Sequence, residues 1–216
     1  MQLKSDLFGT VNRVERRIGS DRTLVVERDV RRAGWWLRAL AYQLAWREAR
    51  ALQALASVAG VPTFHDFSGG VLRRGWIEGL PMQLARPCDP RFFGNAFDLL
   101  RRLHRAGVAH NDLAKEPNWL VTPEGHAALV DFQLALVSRH RGRLFRALAR
   151  EDIRHLLKHK RSYCPQHLTR RELEILATPA LITRAWMGSG KKLYTFVTRR
   201  VLGWADREGA GDRKWQ

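Results

Sequence analysis

The stretch HNDLAKEPNWLVTPEGHAALVDFQ, residues 110–133, decides the fold because it predicts a β-hairpin with polar residues at its open end. Residues 118–121 have the composition of a short strand, and residues 127–130 have that of a returning strand. Between them, Thr122-Pro123-Glu124-Gly125 places Pro and Gly where a type I turn favours them. The first residue of an antiparallel hairpin lies beside the last, so we expect Asn118 and Asp131 to meet.

The open end of this hairpin predicts a metal site. An amide oxygen from Asn118 and a carboxylate from Asp131 are hard ligands that suit Mg²⁺, which proteins hold with one or two groups while phosphates and waters complete the octahedron. Asp112 precedes Asn118 by six residues, in the loop that enters the hairpin. We therefore expect its carboxylate to face a hydroxyl group beside phosphates bound to the metal.

The segment from about Phe93 to Ala135 resembles the catalytic half of the protein-kinase-like superfamily. By that resemblance Asp112 is the catalytic base, Asn118 and Asp131 hold the metal that bridges the phosphates of ATP, and Lys115 neutralises charge on the transferred group. The usual pattern places the Asn five residues after the Asp. Here the interval is six and Pro117 precedes Asn118, so the loop must accommodate one more residue.

The upstream sequence predicts a strand and a long helix linked by an ion pair. Residues 35–56 fit a helix with Leu37, Leu40, Leu44, Leu52 and Leu55 in one stripe, and Glu48 falls in the middle of that stripe. A buried carboxylate requires a cation. Arg28 ends the best preceding strand, residues 24–28, and shares a face with Val26, so it is the natural partner. The simpler alternative is an exposed Arg28 and a partly solvated Glu48.

The resemblance also implies where ATP binds. Val25-Val26-Glu27-Arg28 is similar to the strand that carries the kinase lysine, with Arg28 at the lysine position, while Gly9-Thr10-Val11 resembles the end of the glycine-rich hairpin over ATP. Gly75-Trp76-Ile77-Glu78-Gly79 resembles the segment that joins the two lobes and binds adenine through its backbone. The implied ATP-binding residues are Gly9, Val26, Arg28, Glu48, Gly75 and Ile77.

The expected fold is α+β and bilobal, as in protein kinases. We expect one kinase-like domain over 1–216, with a small N-lobe at about 1–79 that holds an antiparallel sheet and one long helix. A reduced, mostly helical C-lobe follows at about 80–206, and residues 207–216 form a frayed tail. Two cysteines without CxxC spacing and no apolar stretch of membrane-spanning length favour a cytoplasmic protein, either free or peripherally attached to the inner face of the membrane.

Charge predicts an anionic partner. The chain has 38 Lys and Arg against 21 Asp and Glu, a net charge of +17, and the excess is largest after Arg139. Candidate partners are a protein, a glycolipid or an RNA-containing particle. Residues 190–202 fit a basic amphipathic helix, which could lie at a membrane surface or belong to the core.

Three functions are compatible with these patterns. The first is a RIO-like ATP-dependent kinase of protein Ser or Thr, and the second is a sugar kinase similar to those that act on the inner core of lipopolysaccharide. The third is a pseudokinase scaffold that binds an anionic partner without catalysis. The ordered set Asp112, Asn118 and Asp131 favours an active phosphotransferase, and protein ranks slightly above glycolipid as the acceptor.

Overall fold

The structure is a computed structural model that describes residues 2–6, 9–18 and 21–178. The chain divides into two compact units, Met1–Ala177 and Thr178–Gln216. The basic amphipathic helix predicted at 190–202 and the frayed tail predicted at 207–216 lie outside the described residues.

The first part of the chain forms a five-stranded antiparallel sheet. Its strands are β1 (Gln2–Asp6), β2 (Gly9–Ile18), β3 (Asp21–Asp29), β4 (Phe64–Ser68) and β5 (Val71–Gly75), in the spatial order β1-β2-β3-β5-β4. The predicted strand 24–28 lies inside β3, which pairs with β2 on one side and β5 on the other. Val26 and Arg28 therefore lie on a central strand.

Helix α1 (Arg38–Ala54) packs against this sheet through small residues. The helix is shorter than predicted because residues 35–37 form a turn, in which the Leu37 N–H donates to the Gly34 carbonyl. The predicted leucine stripe is wrong in part, since Leu40 is exposed. Alanines Ala41, Ala45 and Ala49 form the buried row instead, and they bring the helix backbone close to the buried Leu72 of β5.

The rest of the described chain is mostly helical. Its elements are β6 (Leu80–Pro81), α2 (Met82–Ala85), α3 (Pro90–Arg105), β7 (Val108–Ala109), β8 (Trp119–Val121), β9 (Ala127–Leu129), β10 (Leu136–Val137), α4 (Arg143–Tyr163) and α5 (Arg170–Ala177). Strands β6, β8 and β9 form one small sheet, and β7 pairs with β10. Asp89 caps α3 by accepting a 2.8 Å hydrogen bond from the Arg91 N–H, with Pro90 in the first turn.

The largest hydrophobic core holds the hairpin β8–β9 between helices. It contains Leu52 of α1, Leu99 and Leu103 of α3, Trp119 of β8 and Leu156 of α4, all with almost no exposed surface. Phe132, immediately after Asp131, is part of the same core. The end of the hairpin is thus anchored on both sides of the polar residues that were expected to form the site.

The predicted combination of helices with an antiparallel sheet is confirmed. Within the described ranges the chain has five α-helices and ten strands, and every pairing between strands is antiparallel. None of the helices described is both long and apolar enough to cross a membrane.

Candidate active site

The predicted hairpin forms in the expected register. Trp119 pairs with Leu129, and the Val130 N–H donates a 3.0 Å hydrogen bond to the Asn118 carbonyl, which extends the ladder beyond the strands. Asp131 is the next residue. The structure therefore brings Asn118 and Asp131 to the same end of the hairpin, as the pattern of residues 118–131 predicts.

One turn of 3₁₀-helix, Glu116–Asn118, accommodates the extra residue between Asp112 and Asn118. The Asn118 N–H closes that turn on the Lys115 carbonyl at 3.1 Å. The side-chain nitrogen of Asn118 then donates to the backbone oxygen of Asp112 at 2.9 Å and to its Oδ2 at 3.1 Å. The longer loop thus keeps Asp112 and Asn118 in direct contact.

Lys115 also reaches Asp112. Its Nζ lies 2.8 Å from Asp112 Oδ2, and the lysine side chain is 62% exposed while that of Asp112 is 14% exposed. A carboxylate and a cation therefore share one place at the surface.

Asp131 is held in a strained conformation. Its φ of 67° lies in the left-handed region, which is unusual for a residue other than glycine, and its Oδ1 accepts a hydrogen bond from the side-chain amide of Gln133. Burial acts to raise the pKa of Asp131, but the positive charge of Arg28, the Gln133 hydrogen bond and the charge of Arg74 together hold that pKa below its usual value. The carboxylate is therefore ionised at neutral pH and available to a cation.

The oxygen atoms at this end of the hairpin are of the kind that binds Mg²⁺. Asn118 uses its nitrogen for Asp112, which leaves its Oδ1 as an acceptor, and Asp131 has Oδ2 in addition to the oxygen that Gln133 contacts. One amide oxygen and one carboxylate are the few protein ligands that Mg²⁺ takes when phosphates and water supply the others.

Glu48 is completely buried and has two arginine partners. Arg28 Nε lies 3.6 Å from Glu48 Oε2, and Arg74 Nε lies 3.1 Å from Glu48 Oε1. The alternative of an exposed Arg28 and a partly solvated Glu48 is wrong, since Arg28 keeps only 9% of its side-chain surface and Glu48 none. Sequence reasoning missed Arg74, the second partner.

The two arginines lie on one face of the large sheet. Arg28 is opposite Leu72 in the register of β3 and β5, while Arg74 is opposite Val26, and directly paired residues point to the same side. Val26 is buried on this face, and Val11 of β2, opposite Arg28, is buried there as well. Two arginines and two buried valines on this face are thus turned toward α1 and Asp131.

Gly9 has a clear structural role. It begins β2 with a φ of 123°, and a side chain there would place its Cβ 2.2 Å from the Asp29 carbonyl oxygen. Gly9 pairs with Asp6 in β1, and its neighbour Thr10 pairs with Asp29 in β3. It therefore lies at the Arg28 end of β3, on the hairpin where the resemblance places the glycine-rich loop.

Gly75 is the last residue of β5, and Ile77 follows it by two residues. Gly75 pairs with Val25, its N–H donates to the Thr63 carbonyl, and the Trp76 N–H donates to the Leu24 carbonyl at 3.0 Å. Among the residues that the structure describes, Ile77 N–H has no backbone partner. Of the two residues in this segment that the resemblance assigns to ATP, Gly75 therefore has its N–H committed to Thr63.

Asp152 of α4 supports the loop that carries Asp112, and sequence reasoning missed it. This buried carboxylate accepts hydrogen bonds from the backbone N–H groups of His110 at 2.8 Å and Asn111 at 2.9 Å, and its Oδ2 lies 3.1 Å from His104 Nε2. Asn111 has a φ of 62°, so the acceptors stabilise a strained conformation. In the sequence, Glu151-Asp152 resembles the acidic start of an ordinary helix. Only the tertiary contact shows that Asp152 holds the loop that carries Asp112.

His159, one further residue of α4, contacts the same loop. Its Nε2 donates a 2.8 Å hydrogen bond to the Leu113 carbonyl, immediately after Asp112. Burial lowers the pKa of His159 and outweighs that hydrogen bond, so the ring is neutral at pH 7. Asp152 and His159 together fix both sides of Asp112.

No protein-family model matches this chain, and a search of curated proteins finds no relative of it.

Proposed function

We propose that this protein is an ATP-dependent phosphotransferase with a bilobal, protein-kinase-like fold, and that it transfers the γ-phosphate to a hydroxyl group of its acceptor. The observation that carries the proposal is the contact of Asp112 with Asn118 and Lys115 at the end of a hairpin from which Asp131 also projects. The contacts among Asp112, Asn118 and Lys115, with Asp131 at the same end of the hairpin, support the proposal because phosphoryl transfer uses a base, an amide, a cation and a second carboxylate in this order.

The roles of the residues follow from their surroundings. The oxygen of the acceptor hydroxyl bonds to the γ-phosphorus, and Asp112 accepts the proton of that hydroxyl. The bond between the γ-phosphorus and the bridging oxygen breaks, and that oxygen leaves with ADP. Lys115 lies beside Asp112 and neutralises charge on the phosphate in transfer. Asn118 and Asp131 would hold Mg²⁺, which when bound screens the phosphate charges.

ATP would lie along the face of the sheet that carries Arg28 and Val26. Its adenine would reach Ile77 near the end of β5, and its phosphates would lie between Gly9 and the two arginines that share Glu48. Arg28 and Arg74 take the place of a single lysine. A guanidinium presents a planar set of donors and not a point charge, so these arginines suit several phosphate oxygens at once.

A RIO-like protein Ser/Thr kinase is the preferred assignment, with a lipopolysaccharide inner-core sugar kinase as the alternative. Both have hydroxyl acceptors, and the net charge of +17 favours an anionic acceptor in either case. A cytoplasmic location, including the inner face of the membrane, is where ATP and such acceptors meet.

A pseudokinase scaffold is the second candidate, and one observation favours it. Arg28 and Arg74, which would face the phosphates, already form ion pairs with Glu48. The position that holds a lysine in kinases holds Arg28 here. A scaffold would bind its anionic partner through the basic surface and would turn over no ATP.

Turnover of ATP separates these candidates. The rate of Mg²⁺-dependent ADP release should be measured for the wild type, Asp112→Asn and Asp131→Asn, with protein and glycolipid acceptors supplied in turn. Loss of the base should reduce turnover by about 10²- to 10⁴-fold and spare ATP binding, while loss of the metal ligand should weaken both. Equal turnover in all three proteins would overturn the assignment, and the absence of any turnover with intact ATP binding would favour the scaffold.

A further inference from the structure

The outer side of α1 and the turn before it expose large aromatic residues. Trp35 is 85% exposed, Trp36 is 52% exposed and Trp46 is 50% exposed, whereas Trp119 in the core has no exposed surface. A tryptophan side chain carries the largest apolar surface of any residue, so three exposed indoles within twelve positions are costly unless they meet a partner. Nothing in the proposed phosphotransfer site uses them.

Arginines surround these indoles. Arg32, Arg38 and Arg50 are exposed, and the Arg50 guanidinium lies 4.7 Å from the centre of the Trp46 ring. We name the Trp-Arg surface for its six residues, Arg32, Trp35, Trp36, Arg38, Trp46 and Arg50. From Val30 to His65 the sequence has one acidic residue, Glu48, and that residue is buried against Arg28 and Arg74. Asp29, just before this stretch, forms an ion pair with Arg32 at 3.9 Å, so among the described residues the positive charge that remains on the surface comes from Arg38 and Arg50.

Helical geometry places Trp46 and Arg50 away from the sheet. Ala41, Ala45 and Ala49 pack toward the sheet, while Trp46 and Arg50, four residues apart, form an exposed row about 120° around the helix axis from the alanines. The three indoles are each at least half exposed, so they can reach a flat partner. A flat partner can receive projecting side chains, whereas a single nucleic-acid strand is usually held in a groove that follows its backbone.

We propose that the Trp-Arg surface docks on an anionic phospholipid bilayer. Indole rings prefer the boundary between headgroups and acyl chains because their apolar body and N–H donor suit both sides of it. Each arginine near an anionic leaflet adds electrostatic attraction, and its aliphatic stem can lie along the apolar layer. The combination of exposed indoles with the positive charge of Arg38 and Arg50 fits this partner, and it makes no use of the catalytic assignment.

The experiment measures co-sedimentation of the full chain with vesicles of phosphatidylcholine alone or with about one third phosphatidylglycerol. The wild type should bind the anionic vesicles, and binding should weaken as salt is raised. The triple variant W35S/W36S/W46S should bind at least about tenfold more weakly. The variant R32Q/R38Q/R50Q should lose the preference for phosphatidylglycerol.

A matched control replaces two other exposed apolar residues, Leu80 and Leu84, with serine, and this variant should bind as the wild type does. Thermal melting of each variant should show that the fold is intact, and tryptophan emission should shift to shorter wavelength on anionic vesicles only when the three indoles are present.

Wild-type protein that does not bind anionic vesicles would overturn the proposal. So would a triple variant that binds as well as the wild type, because a different part of the chain would then carry the binding. Loss of dimerisation or of RNA binding in the triple variant, without any vesicle binding by the wild type, would assign the surface to those partners instead.

Discussion

Glu48 links the large sheet to helix α1, because one buried carboxylate has an arginine from each of two neighbouring strands. Arg28 and Arg74 each keep only about a tenth of their side-chain surface. Burying three charges is costly in itself, so their value depends on all three being present. Removal of either arginine leaves the buried Glu48 carboxylate with one cation instead of two.

Arg74→Met should therefore be far more destabilising than Arg73→Met. The two residues are adjacent in β5 and point to opposite faces, and Arg73 forms partly exposed ion pairs with Glu27 and Asp66. We expect a loss in the free energy of unfolding of about 2–4 kcal/mol for Arg74→Met and about 1 kcal/mol or less for Arg73→Met. Urea denaturation measures both, and equal losses would show that the pair with Glu48 has no special weight.

Sequence reasoning finds Arg28 and misses Arg74 for a physical reason. Alternation along β3 places Arg28 on the same face as Val26, which is a local pattern. Arg73 and Arg74 are consecutive, so one of them has to point inward, but the sequence does not say which before the register of β5 with β3 is known. The contact of Arg74 with Glu48 depends on that register.

At the scale of elements, α4 supports the loop that carries Asp112. Asp152 accepts two backbone N–H groups from that loop, and His159 donates to its Leu113 carbonyl. Asp152 lies 42 residues from His110, so no local spacing in the sequence reveals the contact. The hairpin β8–β9, by contrast, was predictable because its turn residues and its strands are contiguous.

Asp152→Ala should impair both stability and turnover. It leaves two backbone donors and His104 without their acceptor, and we expect a loss of roughly 3 kcal/mol or more in the free energy of unfolding. Arg150→Ala on the same helix removes an exposed side chain and should change that free energy by about 0.5 kcal/mol or less. Chemical denaturation and ATP turnover test both variants. Full activity in Asp152→Ala would show that the loop keeps its conformation without this carboxylate.

A half-buried and a buried histidine of α4 predict acid sensitivity. Burial lowers the pKa of both His155 and His159 below the usual value of 6.5. Below pH 6.5 the unfolded chain therefore binds more protons than the native protein, so the stability that these residues contribute is complete above pH 6.5 and is lost as pH falls through their native pKa values. The melting temperature should drop between pH 7 and pH 5. The double variant H155Q/H159Q should lessen the drop, and an identical drop in wild type and variant would assign it to other groups.

The packing of α1 shows what hydrophobic pattern alone leaves open. Leucines at 37, 40, 44, 52 and 55 predict one face, yet Leu40 is exposed while the alanine row at 41, 45 and 49 faces the sheet. Alanine has little apolar surface, so it contributes weakly to a leucine-based stripe. A short distance between helix and sheet nevertheless favours alanine, because its side chain is small. That distance is defined only when the two elements pack together.

At the scale of the whole molecule, the sheet that carries Arg28 and the hairpin that ends at Asp131 contribute to one site. Arg28 and Arg74 are close enough to lower the pKa of Asp131, so the charges of distant parts of the chain converge. A ligand with both phosphates and a divalent cation would engage the arginines and the carboxylate together. Its binding should therefore stabilise the fold as a unit.

MgATP should raise the melting temperature of this protein, and the rise should require both the metal and Asp131. At a free concentration of about one hundred times Kd, a ligand that binds only the native state adds about 2.7 kcal/mol, which corresponds to about 5–10 °C for a chain of this size. Asp112→Asn should keep the full shift because the base does not hold the nucleotide, whereas Asp131→Asn should lose most of it. Differential scanning fluorimetry with ATP in the presence of Mg²⁺ or EDTA measures these shifts. A shift of the same size with EDTA, or in Asp131→Asn, would mean that the nucleotide binds through the arginines alone and that the hairpin end holds no metal.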